Sequence, residues 1–408
     1  WTSTASSGLS GFPASGTGNI PSFTPVNVTL NPGTITYTVT PTGPTPQSCP
    51  GPTYTYTYTV NPAPTVINSP MSQTVCSGNN TTAVNIQSNV AGTTFTWTAS
   101  ASSPDITGFS VSGTNSIPVQ QISNSSSTQG SVTYHITPFS GSGGCPAAAR
   151  DYIIYINPIP QMTSATSAQV CSGTPLNYTI TSNVSGVTYA WSRPLTGGIS
   201  NAAASGGSAS INETLINTTT TSKLVTYNIN ITGPTPTNCM GPTSQLQVTV
   251  RPLPAVNAGN DQTIPYGSAT TLNGTVTVET PPATYTWTPS ANVASGGAAL
   301  SATTTNLYTN TAFTLKAVDG SSCQNTDVVW VYLSGTPLAV TATASLSTIC
   351  QGSGTPLNAS ATGGTGTYTF AWSPTTGLNN PNISNPTAAP ASTTTYTVTV
   401  NDGFNTAT

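Results

Sequence analysis

The sequence predicts an all-β fold, a tandem array of small β-sandwich domains set end to end in a rod. Three observations predict it. A Trp, a Tyr and a Cys recur at near-fixed spacing: Trp1, Tyr37 and Cys49, then Trp97, Tyr134 and Cys145, then Trp191, Tyr227 and Cys239. The distance from Trp to Cys is 48 residues each time. Around these markers run short stretches in which apolar residues alternate with Thr and Ser, the period-2 pattern of half-buried strands. Gly, Ser, Asn and Pro punctuate every gap, and no segment keeps a helical period over a useful length. An internal repeat of this quality makes the chain an array, so function is asked of the array first.

The bulk numbers agree. At 408 residues the chain is too long for one core and suits four or five small domains. Only 3% of residues are charged, yet 16 Tyr and 6 Trp stand at regular intervals. Disordered chains are usually charge-rich and aromatic-poor, so this pattern marks packed sheets. Five basic residues cannot form a nucleic-acid patch, and a net charge of −3 steers neither nucleic acid nor an anionic membrane. No run of about 18 apolar residues exists to insert a helix in a membrane. The chain opens on a core Trp with no initiator Met or signal peptide, so an internal fragment of a larger protein is expected. Seven cysteines without a C-x-x-C pair, beside one histidine, point to disulfides in an oxidising, extracellular or cell-surface compartment and away from zinc.

The second repeat, residues 63–158, is complete and serves as the ruler. After Asn61-Pro62-Ala63-Pro64, a first strand ends at Val75-Cys76-Ser77-Gly78. Further strands are expected at Ala83–Gln87, around Phe95 and Trp97, at Ile117–Ile122, at Val132–Thr137 and at Tyr152–Ile156. About seven short strands in roughly 95 residues around a core Trp describe an immunoglobulin-like sandwich. The third repeat, 159–252, follows the same ruler, and 1–62 is the same domain without its opening strands. Residues 253–335 around Trp287 and 336–408 around Trp372 and Tyr396 form a shorter subtype, the last stopping before a final strand. Linkers of the form Asn/Arg-Pro-x-Pro fix φ and leave little slack, so the joints are semi-rigid.

At this point the residues carry a resemblance. Asp261-Gln262-Thr263-Ile264, Tyr285-Thr286-Trp287 and Ala317-Val318-Asp319-Gly320 look like a PKD-type domain. Trp372-Ser373-Pro374-Thr375-Thr376-Gly377-Leu378, followed by Thr393-Thr394-Thr395-Tyr396-Thr397-Val398, resembles the PKD-like repeats of giant secreted surface proteins of Bacteroidota. The longer repeats look like the Ig-like repeats of the same group. The resemblance implies adhesins of the gliding-motility type, exported by type IX secretion.

Two cysteine positions recur. One follows the first strand (Cys76, Cys171, Cys350), with Pro265 in its place in the fourth repeat. The other lies between the last two strands (Cys49, Cys145, Cys239, Cys323), with Thr406 there in the fifth. In an end-to-end sandwich these turns sit at opposite poles, about 20 Å apart, whereas a disulfide needs Cα atoms within about 7 Å. Pairing inside a domain is therefore awkward, though an unusual first strand would revive it. Joining each late cysteine to the next early one strands Cys239 opposite Pro265. A third scheme joins the early cysteine of one repeat to the late cysteine of the next, giving Cys76–Cys239 and Cys171–Cys323. It sets Pro265 opposite Thr406, so the two absences explain each other, and we prefer it. Cys49, Cys145 and Cys350 then seek partners outside the fragment.

Catalytic chemistry is poorly supported. His135 lies on a strand with polar neighbours and reads as solvent-facing rather than as a general base. Asp261, Asp319 and Asp327 could hold Ca²⁺ through oxygens if they met at one pole, but ordinary turn aspartates are the favoured reading. No other cofactor is implied. Sequons such as Asn27-Val28-Thr29, Asn177-Tyr178-Thr179 and Asn230-Ile231-Thr232 arise readily in so Thr- and Asn-rich a chain. Tyr54, Tyr56 and Tyr58 share one face of a strand; packing on the core is favoured over a sugar platform. Uncharged strands invite edge pairing, and lateral self-association into a filament follows as an expectation. The sequence thus reads as a non-enzymatic extracellular stalk, structural and adhesive, whose partners are neighbouring repeats, with surface glycans as a further candidate. The alternative is an accessory carbohydrate-binding or spacer region of a secreted polysaccharide-degrading enzyme.

Overall fold

The computed structural model describes residues 1–141 and 144–408. Its elements are strands, joined by turns and a single 3₁₀ turn at Ser290–Asn292. The alternation seen in sequence becomes the two faces of each strand. Along Thr94–Ala101, Phe95 and Trp97 are buried while Thr94, Thr96 and Thr98 are exposed. Five separate apolar cores result, centred on Tyr37, Trp97, Tyr227, Trp287 and Trp372 in chain order. The fold is all-β, a tandem series of Ig-like sandwiches.

In the second repeat the main sheet runs Ser112–Thr114, Thr94–Ala101, Gly130–Ser140, Arg150–Asn157, Ser72–Cys76. All neighbours are antiparallel except the last. The first strand, Ser72–Cys76, lies parallel to the final strand, with Val75 opposite Ile156 and Cys76 opposite Asn157. The third repeat does the same with Ser167–Cys171 against Ser244–Arg251, and the fourth with Gln262–Pro265 against Gln324–Ser334. A parallel partner runs in the direction of the final strand, so its last residue reaches the pole where the chain leaves the domain. That is what places the early cysteine beside the outgoing linker.

The Trp–Tyr part of the recurring pattern is one physical contact. Trp1–Tyr37, Trp97–Tyr134 and Trp191–Tyr227 meet edge to face at 5.6, 5.3 and 5.8 Å between ring centroids. Tyr37, Tyr134 and Tyr227 are fully buried; Trp97, Trp287 and Trp372 are buried, while Trp1, Trp191 and Tyr396 are half-buried. Each longer repeat adds a third member that sequence reading missed. A glycine pairs across the strand with the Trp, and the indole lies over it: Gly113 opposite Trp97 and Gly206 opposite Trp191. Gly16 exchanges backbone hydrogen bonds with Trp1 in the same way. A Cβ on Gly113 would stand 2.3 Å from Trp97 Cζ2, inside the ring's van der Waals surface.

The first repeat differs. Its sheet holds only Thr2–Ala5, Gly33–Val39 and Tyr54–Val60. Tyr54, Tyr56 and Tyr58 are 59%, 58% and 47% exposed, which corrects the expectation that they pack into a core. Tyr56 and Tyr58 stand opposite Tyr37 and Ile35, as Tyr152 and Ile154 stand opposite Tyr134 and Val132. They therefore face the core side, but no counterpart of Val66, Val84 and Ile86 covers them as in the second repeat. Only Phe23 and Tyr37 touch Tyr58 among the aromatic rings, at 5.7 and 5.8 Å.

Gly113→Ala is expected to destabilise the second repeat by about 1–3 kcal/mol, because the indole must leave its preferred position to admit one methyl group. Chemical denaturation followed by Trp fluorescence measures it; an unchanged midpoint would show that the close approach is not tight.

Candidate functional site at the domain joints

The residues singled out for chemistry converge on the joints. In each of the three Asn/Arg-Pro-x-Pro linkers both prolines are buried: Pro62 and Pro64, Pro158 and Pro160, Pro252 and Pro254. The chain between these domains is packed, not merely short. The link from fourth to fifth repeat, Ser334-Gly335-Thr336-Pro337, is exposed throughout.

Two disulfides cross the joints. Cys76 of the second repeat is bonded to Cys239 of the third, with Cα atoms 5.6 Å apart. Cys171 of the third is bonded to Cys323 of the fourth, with Cα atoms 5.5 Å apart. Each early cysteine ends the parallel first strand at the lower pole. Each late cysteine sits on a turn that reaches back from the next domain. In the third repeat that turn is closed by Gly233 N–H donating to Cys239 O at 2.7 Å and Gly241 N–H donating to Ile231 O at 2.8 Å. In the fourth, the Asp319 carboxylate accepts the N–H groups of Ser321 and Cys323, both at 2.9 Å.

Polar contacts flank both bridges. Asn157 Nδ2 donates to Thr237 Oγ1 beside the first. Beside the second, the Ser222 N–H and hydroxyl donate to the Glu279 carboxylate, each at 2.6 Å, and Arg251 donates to Thr280 Oγ1 at 3.2 Å. The Ser222 hydroxyl bond holds the exposed Glu279 carboxyl below its ordinary pKa.

At the fourth joint a hydrogen bond stands where the bridge would be. Asn405 Nδ2 donates to Tyr266 O at 2.7 Å, next to Pro265. Sequence spacing set Thr406 in the late position. However, Asp402 N–H bonds Asn405 O, one residue earlier than the Asp319–Cys323 closure, so the turn is shorter by one and Asn405 faces the neighbour. Cys49, Cys145 and Cys350 are unbonded and exposed. Cys49 lies on the same kind of turn as Cys239, with Gly43 N–H donating to Cys49 O at 3.0 Å.

A second joint feature was hidden inside an apparent modification motif. Asn27, Asn124 and Asn217 each begin an Asn-x-Ser/Thr triplet. In the structure each side chain is consumed internally. Asn124 Nδ2 donates to Thr128 O at 2.8 Å and Ile156 O at 2.9 Å, and its oxygen accepts from Ser126 N–H and Oγ. Asn27 and Asn217 repeat this with Val60 O and Val250 O. Each clasps a turn to the end of the final strand, where the linker departs. Only the recurrence of the triplet at one offset from the repeat's Tyr could have revealed it.

The remaining candidates disperse. Asp261 accepts Trp330 N–H, Asp327 accepts Ala258 N–H, and Asp319 closes its own turn. Among the described residues no three His, Cys, Asp or Glu side chains cluster to hold a metal. His135 Nδ1 lies 2.7 Å from Asp151 Oδ1 on the exposed face of its strand. Among the described residues Arg193 is the most deeply buried charged side chain, and its guanidinium meets the Glu213 carboxylate at 3.0 Å through Nε and Nη2. Burial opposes the Glu213 charge, but the Arg193 and Tyr227 hydrogen bonds outweigh it and hold the carboxyl below its usual range. Burial, with Glu213 beside it, pushes the Tyr227 hydroxyl well above its ordinary value. In the second repeat Gln120 occupies this place, donating to Tyr134 OH at 2.9 Å.

Two predictions follow from these contacts. Glu213 contributes stability that is complete above its unfolded pKa, about 4.3, and is lost as pH falls through the lower folded value. Glu213→Gln at pH 7 should cost about 3–5 kcal/mol, because it strands the Arg193 charge; a thermal midpoint within error of the parent would contradict the pairing. Separately, a non-specific protease under non-reducing conditions should cut first between Ser334 and Pro337. First cuts within 61–64, 157–160 or 251–254 would show that the joints with buried prolines are no better protected.

Among solved structures, three mouse cadherin-23 ectodomain repeats (EC22–24) are 16% identical, covering 66% of this chain and 98% of theirs at a TM-score of 0.27. Drosophila N-cadherin EC1–4 is 13% identical over 74% and 83%, at 0.22. The human desmocollin-1 ectodomain is 10% identical over 100% and 91%, at 0.23. Scores this low carry no argument about fold or function. No curated protein matches the chain. A family model described as PKD-like domain matches residues 1–64, 73–160 and 168–254. These are the three longer repeats rather than the two shorter ones whose motifs carried the resemblance. The match spans more than half of the residues, and the chain belongs to the PKD-like domain family.

Proposed function

We propose that this chain is a load-bearing stretch of an extracellular stalk, structural and adhesive, in which consecutive domains are stapled across their joints. The observation that carries the reading is the pair of disulfides, each joining the first strand of one domain to the last turn of the next. A bridge inside a domain would stabilise that domain. A bridge between domains restrains bending and rotation at the joint, which matters when a chain must hold a direction or transmit force. The buried prolines act in the same sense, since each fixes φ and excludes water from the linker.

The setting we infer is the surface of a bacterium of the Bacteroidota type, reached through type IX secretion, with many such repeats in one protein. We place the domain limits near 62, 158, 252 and 335, a division supported by one apolar core in each segment. A second reading, a carbohydrate-binding or spacer region of a polysaccharide-degrading enzyme, is favoured by one feature. Trp330 and Tyr332 stand exposed on the outer face of the fourth repeat, their rings nearly parallel at 5.8 Å. Such planes stack on sugars.

The test compares oxidised chain with a Cys76→Ser, Cys239→Ser, Cys171→Ser, Cys323→Ser variant by negative-stain electron microscopy. The account expects a narrow distribution of angles at the second–third and third–fourth joints in the parent and a several-fold broader one in the variant. Equal distributions would remove the stiffening role. Retention of the chain on an insoluble polysaccharide, lost in Trp330→Ala, would favour the second reading.

A further inference from the structure

Along the chain the two bridges interleave. Cys76 pairs with Cys239 and Cys171 with Cys323, so the second bridge starts inside the loop that the first closes and ends beyond it. The order follows from the parallel first strand, which sends each early cysteine forward to the late turn of the next repeat. The third repeat holds one end of each bridge. Its Cys239 reaches back to the second repeat and its Cys171 forward to the fourth.

The backbone between Cys76 and Cys323 is 247 residues long, and the bridges shorten it in three ways. One route crosses the first bridge and follows 84 residues from Cys239. Another follows 95 residues to Cys171 and crosses the second bridge. The shortest crosses both bridges and uses only the 68 residues between Cys171 and Cys239.

We infer that the interleaved bridges form a stop on extension, which puts the third repeat, alone of the three that they join, wholly in series with the load. The inference rests on the stapled stalk proposed above. A taut chain is limited by its shortest covalent route, whatever slack the parallel routes hold. While the third repeat stays folded, unfolding the second beyond Cys76 or the fourth before Cys323 adds no length between those cysteines. The second repeat keeps only its first strand on the load path, and the fourth only its final strand, Gln324–Ser334. When the third repeat yields, the span reaches about 230 Å at roughly 3.4 Å per extended residue, against about 840 Å for the unbridged backbone.

The third repeat is placed to resist. Cys239 sits at the pole facing the second repeat and Cys171 at the pole facing the fourth, so load draws Ser167–Cys171 lengthwise along Ser244–Arg251. Its residue pairs, from Ser167 opposite Gln247 to Cys171 opposite Arg251, then resist together instead of opening one by one. The bridges also back each other up. Loss of either one raises the limit only from 68 residues to 84 or 95.

The full chain is held by tags at its two termini and pulled by single-molecule force spectroscopy. Length at full extension is read whether or not a variant folds. Relative to the oxidised parent, the Cys76→Ser, Cys171→Ser, Cys239→Ser, Cys323→Ser variant should reach about 600 Å further. Cys171→Ser with Cys323→Ser should gain only about 55 Å, and Cys76→Ser with Cys239→Ser about 90 Å. Gains of about 200 Å or more from either pair would overturn the inference, since each bridge would then close a loop of its own. So would a parent as long as the fourfold variant. If that sample still holds linked Cys76–Cys239 and Cys171–Cys323 peptides, the bridges break under load and the stapled joints stand. If it lacks them, the stapled stalk falls as well.

Discussion

The parallel pairing of each domain's first strand with its last is the constraint on which the rest of the structure depends. An ordinary antiparallel hairpin would return the first strand to the pole where the chain came in. Running parallel instead, Ser72–Cys76 and Ser167–Cys171 deliver their cysteines to the pole where the chain goes out. The linker then needs only four residues, its prolines pack between domains, and the next domain's final turn lies within disulfide reach. Remove that pairing and both the staple and the buried linker lose their geometry.

The energetics lie in the same places. Each bridge closes a loop of 163 or 152 residues. In the chain-entropy picture a loop of that length removes about 5 kcal/mol of unfolded-state freedom. The Asn27, Asn124 and Asn217 clasps fix the end of each final strand, so the linker leaves a rigid edge. The core Trp, Tyr and Gly hold the sheet behind it. Charge contributes little: the buried Arg193–Glu213 pair belongs to one domain, and its neighbour performs the same task with a neutral Gln120. The fourth joint lacks the bridge and the buried prolines together, and a single Asn405–Tyr266 hydrogen bond replaces them. The first joint also has no bridge but keeps its buried prolines, so compliance is greatest at the fourth.

Much of this was legible in the sequence for physical reasons. Trp97 and Tyr134 recur because an edge-to-face pair needs both rings at fixed strand positions. The cysteines declared their geometry by where they were missing, at Pro265 and near Thr406. Other features were hidden. Gly113 and Gly206 look like turn residues until a partner strand brings the indole over them. Asn124 looks like a sugar acceptor because the same hydroxyl that makes a sequon also completes its turn. Asn405 was missed because one residue fewer in a turn shifts which side chain faces the neighbour. Tyr54, Tyr56 and Tyr58 carry a core pattern, and alternation alone cannot say whether an opposing sheet is present.

The central claim is that covalent bridges join consecutive domains and leave none closed upon itself. Non-reducing digestion of the native chain, with the disulfide-linked peptides sequenced by mass spectrometry, tests it most directly. The account predicts peptides joining Cys76 to Cys239 and Cys171 to Cys323. Peptides joining Cys76 to Cys145, or Cys171 to Cys239, would contradict it.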